Sequence, residues 1–400
     1  MKQLEKRLRA SLCFVPMLLL LGGCWDRTEL NDLAIVTALA FDQAENGLIR
    51  TTVQVVVPQN QGGGPTGTGS GGGQSGKRTT VRSAAGFDAA DALSKLQRLS
   101  PRRLFWGQCK VFIFSEKVAR SGIHDHLDFL LRFPKIRERA YMYVSKGGAA
   151  EALDLFPLIE RSTSEVLREL NDLQIGMRVT LQQLSAMLTG DARASGLPLV
   201  QILPKGRTSE PYQTVPYIFG TAVFKEDKMV GEISERITRG VLWLRDEIGE
   251  HTVDFGIPGK EGRIALKPIN AKIRLVPSIR NGEWMMTVKV RTEGDIIQNG
   301  TDLNPMHPDV VATLDKAFGQ EVHRRIRMAL QEAQHRLKAD IFGFAKEFHR
   351  NYPKEWEKVK DRWEQQFPEI KVKTEIEAHI QRPGSINYPG GIPGEEVRKK

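Results

Sequence analysis

The chain has 400 residues, of which hydrophobic types make up 40% and charged types 26%. That balance excludes a collagen-like or wholly disordered chain and supplies apolar mass for two or three domains. Lys+Arg 58 against Asp+Glu 48 leaves a net charge of +10, which favours anionic partners, either nucleic acid or a membrane surface.

Residues 1–23 read as a signal peptide. Lys2, Lys6, Arg7 and Arg9 form a positive start, and Ser11 to Leu21 is an apolar run interrupted by Pro16. The run is too short to span the hydrocarbon core as a helix, which needs about 20 apolar residues. Leu21-Gly22-Gly23-Cys24 then resembles a bacterial lipobox, in which the cysteine receives a diacylglyceryl group and becomes the first mature residue. Cleavage there removes four positive charges and one negative from the total of +10, so the mature chain carries +7. No later segment has 18 uninterrupted apolar residues, so the expectation is a protein anchored to the membrane through Cys24 without crossing it. With only Cys13, Cys24 and Cys109, a disulfide framework or four-thiolate zinc site is excluded.

Leu33–Phe41 and Ile49–Val57 are apolar runs separated by Glu45-Asn46-Gly47 and predict a β-hairpin. Residues 58–77 are rich in Gly, Ser, Thr and Gln and read as a flexible loop. Within it, Gly67 to Gly72 formally matches G-x-G-x-x-G. Gly71 to Lys77 nearly matches a P-loop, but Arg78 stands where a Ser or Thr is required. Both motifs need the loop to open a helix, and here it lies between strand-like runs. Thr79–Ser83 predicts a return strand, Phe87–Leu99 a helix, and Lys110–Phe114 a buried strand. One or two helices are expected over Glu116–Phe133, a strand over Ala140–Ser145, and a helix from a Ser162–Glu165 capping box to about Leu173. Leu181–Leu188 reads as helix and Leu197 to Pro211 as a connection between lobes.

In the second half, Val215–Phe224 and Met229–Ile233 predict strands and Ser234–Leu244 a short helix. Ala271–Pro277 and Trp284–Glu293 predict a hairpin turning at Asn281-Gly282. Pro308 suits the first turn of a helix whose apolar stripe runs from Val310 to Ile341 at three- and four-residue spacing. Pro353–Gln366 predicts a second helix with Trp356, Val359 and Trp363 on one face, and Ile370–His379 alternates as a strand. The fold class expected is α+β, multi-domain, with mostly antiparallel sheets packed against helices and a long amphipathic helix in the C-terminal domain. The division expected is an N-terminal region 24–205, split at about 148/149, a C-terminal domain 206–382 and a disordered tail 383–400.

Catalytic chemistry finds little support. His124-x-His126 could share one side of a strand, but no third ligand type stands at metal spacing, so a structural role is expected. Cys109 precedes an apolar strand and reads as buried and inert. Basic clusters at Arg102-Arg103, Arg132–Arg139 and His323–Arg327 lack interleaved aromatics and read as solvated faces, with anionic lipid or an acidic partner as the second reading. Trp356 and Trp363 read as core. No catalytic residue, cofactor-binding residue, metal or nucleic-acid partner is expected.

Cys24-Trp25-Asp26-Arg27, with Glu29-Leu30-Asn31-Asp32 after it, resembles the mature start of the Ger(x)C lipoproteins, the C subunits of nutrient germinant receptors of bacterial spores. The resemblance continues through Leu104 to Val111, Arg132 to Arg137, Ala339 to Phe344, and Lys354 to Pro368. It implies a non-catalytic lipoprotein of the spore inner membrane, lipid-anchored at Cys24 on the outer face. Its partners would be membrane lipid and two membrane-embedded receptor subunits, one of them transporter-like. The competing class is a solute-binding lipoprotein that delivers a small ligand to a transporter. That class has two lobes built on parallel sheets, whereas the strands here read as antiparallel, without a βαβ rhythm.

Overall fold

The computed structural model describes residues 29–57, 78–204, 213–249, 251–384, 386 and 390. Cys24, the Gly-rich segment 58–77 and most of the tail lie outside them.

The predicted hairpin forms. Strand β1 (Leu33–Gln43) pairs antiparallel with β2 (Ile49–Val56) across a turn in which Asn46 and Gly47 take positive φ angles of 57° and 74°. β3 (Thr79–Gly86) returns antiparallel on β2. Asp88 caps helix α1 (Ala89–Leu99) by accepting from the Asp91 amide at 2.7 Å. The short strand β4 (Arg103–Phe105) runs parallel to the start of β1. β5 (Val111–Ser115) and β6 (Tyr141–Ser145) follow, separated by α2 (Glu116–Ser121) and α3 (His124–Arg132). Three helices, α4 (Ala149–Leu153), α5 (Thr163–Asp172) and α6 (Leu181–Thr189), lead to β7 (Ala194–Ile202).

β1, β5, β6 and β7 are mutually parallel, and β8 (Pro216–Lys225) and β9 (Lys228–Ser234) extend the sheet antiparallel. The nine-stranded sheet runs β3-β2-β1-β5-β6-β7-β8-β9, with β4 beside β1. Its parallel centre corrects the expectation of strands without βαβ rhythm. The crossover helices are short and broken by loops, so no long 3.6-residue period marks them. Parallel centres are buried on both faces. Phe112 and Phe114 of β5 enter one core with Leu39 and Phe41, while Val111 and Ile113 enter a second beneath α4 and α5 with Ala38 and Ala40.

β7 also corrects the reading of Leu197 onward as a connection. Leu197, Leu199 and Val200 are fully buried, and Pro198 sits in a strand that pairs with β8. The 205/206 division therefore falls between two adjacent, hydrogen-bonded strands of one sheet.

Helix α7 (Glu235–Leu244) leads to β10 (Val253–Phe255) and to the long hairpin of β11 (Ile264–Arg280) and β12 (Glu283–Asn299). Asn281 and Gly282 have φ of 51° and 80°, the geometry their dipeptide favours. Met286, Val288 and Val290 are buried, as their alternation predicts. β13 (Lys371–Arg382) joins β12 in parallel and completes the second sheet, β10-β11-β12-β13. Across both sheets most pairings are antiparallel, so the fold is mixed, with helices on mostly antiparallel sheets.

Helix α8 (Pro308–Leu330) buries Val310, Leu314, Phe318, Val322 and Ile326 and continues as a π-helical segment, Gln331–Leu337. It ends there rather than at Ile341, because Lys338 takes a left-handed φ of 51°. Asp340 then accepts the amides of Gly343, Phe344 and Ala345 at 2.6–3.1 Å and caps α9 (Phe344–Asn351). The expected helix over Pro353–Gln366 is divided into Pro353–Trp356, Lys360–Arg362 and Trp363–Gln366, with Val359 and Arg362 outside helical geometry. The breaks let Trp356 and Trp363 meet edge to face at 5.0 Å and pack with Trp284 and Phe348. Both tryptophans are core, as expected.

Candidate functional site

His124 and His126 lie on α3, not on a strand, so their side chains diverge; His124 is exposed and His126 is buried. The His126 ring stacks on Phe41 at 4.9 Å, and burial lowers its pKa. Among the described residues no group of three or more His, Cys, Asp or Glu side chains is placed to hold a metal ion. Cys109 is fully buried, and burial pushes its thiol up to about 12, far from a reactive thiolate.

The basic cluster His323–Arg327 departs from a solvated face at one residue. Arg325 is buried, and its Nε donates to Glu321 Oε1 at 2.8 Å. Arg324 donates to both oxygens of the same carboxylate at 2.6 and 2.7 Å. These two guanidinium groups hold the Glu321 carboxyl below its ordinary range against the opposing effect of burial. Nearby, the imidazole of His251 meets the Trp243 indole edge to face at 6.3 Å. Burial, reinforced by the charges of Arg325 and Arg239, holds the His251 pKa down at about 4. Arg325 Nη1, His251 Nε2 and Trp243 Nε1 are buried without a hydrogen-bond partner among the described residues. Residue spacing on α8 marks Glu321–Arg325 as an i,i+4 pair. Their burial depends on α7 lying across them.

A cleft of about 630 Å³ lies where the loop before β7 and the β8–β9 turn meet the segment after α8. Lys225 pairs with Glu364 at its wall. His349 bonds Asp191 at 3.0 Å and stacks on Trp356. Asp340 also lines the cleft, but its carboxylate is committed to backbone amides and to Trp363 Nε1 at 3.3 Å. Lys225–Glu364 and His349–Asp191 each join segments distant in the chain, an arrangement suited to holding those segments together.

Cys24, the site residue expected from sequence, lies outside the described residues. No described helix is long and apolar enough to cross a membrane.

Residues 26–202 match the family model "Spore germination protein N-terminal domain", and residues 219–384 match "Spore germination B3/ GerAC like, C-terminal". The chain belongs to the Ger(x)C family. Spore germination protein KC of Bacillus subtilis is 29% identical, over 94% of this chain and 97% of its own. Spore germination protein GerQC of Bacillus cereus is 20% identical, over 93% and 98%. The crystal structure of the GerBC protein superposes with a TM-score of 0.55 at 19% identity, covering 86% of this chain and 96% of that one. The fold is thus shared with the GerBC protein over most of the chain.

Proposed function

We propose that this Ger(x)C protein is the lipid-anchored, non-catalytic subunit of a spore nutrient germinant receptor. It would be held on the outer face of the spore inner membrane beside two membrane-embedded subunits. The observation that carries this reading is the order of the sequence. A lipobox ends at Cys24, and the first family-model match begins two residues later, at Asp26. A diacylglyceryl group on Cys24 supplies two acyl chains, which anchor stably where one chain binds only marginally. The anchor keeps the ectodomain at high local concentration next to its partners, so weak contacts suffice for assembly.

The test is Cys24→Ala in spores. The ectodomain is expected to fold but to be poorly retained, and germination through this receptor is expected to fall sharply. Germination by triggers that bypass receptors is expected to be unchanged. A normal nutrient response from demonstrably unlipidated protein would refute the anchoring role. Co-purification with ATP-binding transport components, rather than membrane-embedded receptor subunits, would favour the solute-binding alternative.

A further inference from the structure

The parallel strands of the large sheet begin at one end of the molecule, and the described chain begins there too. Leu33 to Ile35 pair with Arg103 to Phe105, the Lys110 amide bonds Thr37 O, and the Tyr141 amide bonds Lys110 O. The loop between α4 and α5 projects from the same end. Buried Gln54 holds both sides of it, donating to Leu153 O at 2.8 Å and accepting from the Ser164 amide at 3.3 Å. Thr163 Oγ1 adds bonds to Leu153 O and Leu155 O. At the tip of this pinned loop, Leu158 is 71% and Ile159 95% exposed. Such exposure of two adjacent large aliphatic residues is costly in water and calls for a covering surface.

Basic residues lie at the same end of the sheet. Arg161 lines a groove with Ile35, Val57, Arg78 and Lys110. Arg103 is exposed beside the start of β1, and Arg137 and Arg139 are exposed on the turn entering β6; the acidic residues among them are Glu138, Glu160 and Glu165, which pairs with Lys110 at 3.3 Å and leaves the arginines as the cations of this face. Glu29, the first described residue, leads into Leu33, and Cys24 lies five residues before it, a reach of at most about 18 Å.

We propose that this end of the sheet is a membrane-docking face, in which Leu158 and Ile159 enter the headgroup–acyl boundary while Arg78, Arg103 and Arg161 meet anionic phospholipid headgroups. The proposal rests on the anchoring of Cys24 and adds an orientation to it. A tether this short brings the same end of the ectodomain down to the lipid. Aliphatic side chains with flanking cations suit an interface that is apolar inside and negatively charged outside.

Two measurements test it. In the first, the full mature chain carrying Cys24→Ser, which cannot be lipidated, is sedimented with vesicles of phosphatidylcholine containing phosphatidylglycerol, or of phosphatidylcholine alone. Binding is expected on the anionic vesicles only, weakening with salt. The further changes Leu158→Asp and Ile159→Asp are expected to reduce it about tenfold with an unchanged melting temperature, since both positions are exposed. In the second, lipidated protein in the anionic vesicles carries a polarity-sensitive dye on Ile159→Cys or on Glu45→Cys, which is exposed in the β1–β2 turn at the opposite end of the strands. The dye at 159 is expected to shift to the blue and be quenched by lipid-borne quenchers, and the dye at 45 to stay water-like. Equal vesicle binding with and without the two aspartates overturns the proposal, as does a dye at 159 as wet as at 45. A dye at 159 that dries only when membrane-embedded subunits are added also overturns it, because the loop then meets protein. The first measurement does not depend on the lipid at Cys24, so failure of the anchor and failure of the face are read separately.

Discussion

Gly240 of α7 lies against the backbone carbonyl of Arg325 on α8. A Cβ placed on Gly240 would overlap the Arg325 oxygen, at 2.8 Å from the carbonyl carbon and 3.0 Å from Ala329 Cβ. This contact sets how closely the two helices approach, and it lies where Arg325 and Glu321 are buried.

Gly240→Ala therefore has the opposite sign to its usual effect. In a free helix Ala is favoured over Gly by about 1 kcal/mol. Here the methyl group must push backbone aside, an overpacking cost of roughly 2–3 kcal/mol. Thermal unfolding is the readout, and a melting temperature at or above wild type would show that the helices part easily.

Glu321→Gln removes the carboxylate that neutralises buried Arg325. Leaving a buried charge unpaired is expected to cost about 3–5 kcal/mol in a denaturant titration. Replacing both partners, Glu321→Leu with Arg325→Met, is expected to recover most of that loss, because desolvating the pair offsets much of its attraction. A double variant as unstable as the single one would mean the pair is needed for more than charge balance.

His251 makes stability depend on pH. Its folded pKa of about 4 lies below the ordinary 6.5. As pH falls through 6.5, the unfolded chain takes up a proton that the folded protein refuses. Stability is fully present above about 6.5, declines as pH falls, and levels off below about 4. The loss attributable to this group is up to about 3 kcal/mol. Denaturant midpoints measured across that window are expected to fall less steeply in His251→Asn; a parallel curve would assign the acid sensitivity elsewhere.

The strand pairing at the base of the Gly-rich segment is complete without it. The Val57 amide donates to Arg78 O at 2.8 Å, continuing the β2–β3 ladder to its last rung. Replacing residues 58–77 with a short turn is expected to leave unfolding cooperative, with a small change in midpoint, since loop-closure entropy varies slowly with length. Loss of cooperative unfolding would show that the segment packs on the domain.

Local signals made much of this fold legible. Glu45-Asn46-Gly47 between β1 and β2, Asn281-Gly282 between β11 and β12, Pro308 at the head of α8 and the alternation of Met286, Val288 and Val290 each state a local geometry, and each is found. The Ser162–Glu165 capping box forms only in half, at the head of a helix that runs as expected to Asp172. Ser162 accepts from the Glu165 amide, but the Glu165 carboxylate bonds Arg168 and Lys110 instead of closing the box, while Thr180 and Gln183 form a complete one. A side chain with a nearby cation has a choice that spacing alone does not record.

What the sequence by itself determined was the type of most elements and the family, because periodicity, turn chemistry and family motifs are written in neighbouring residues. Which strands pair was decided by the tertiary structure. β7 and β8 join one sheet across the expected domain division, and β13 reaches β12 in parallel from some 70 residues away in the chain. Burial of Arg325, depression of the His251 pKa and exposure of Leu158 and Ile159 at the end where β1 begins were decided there too. Each depends on which distant segment lies against the residue and excludes water from it, and a period of two or 3.6 residues names a face without naming what covers it.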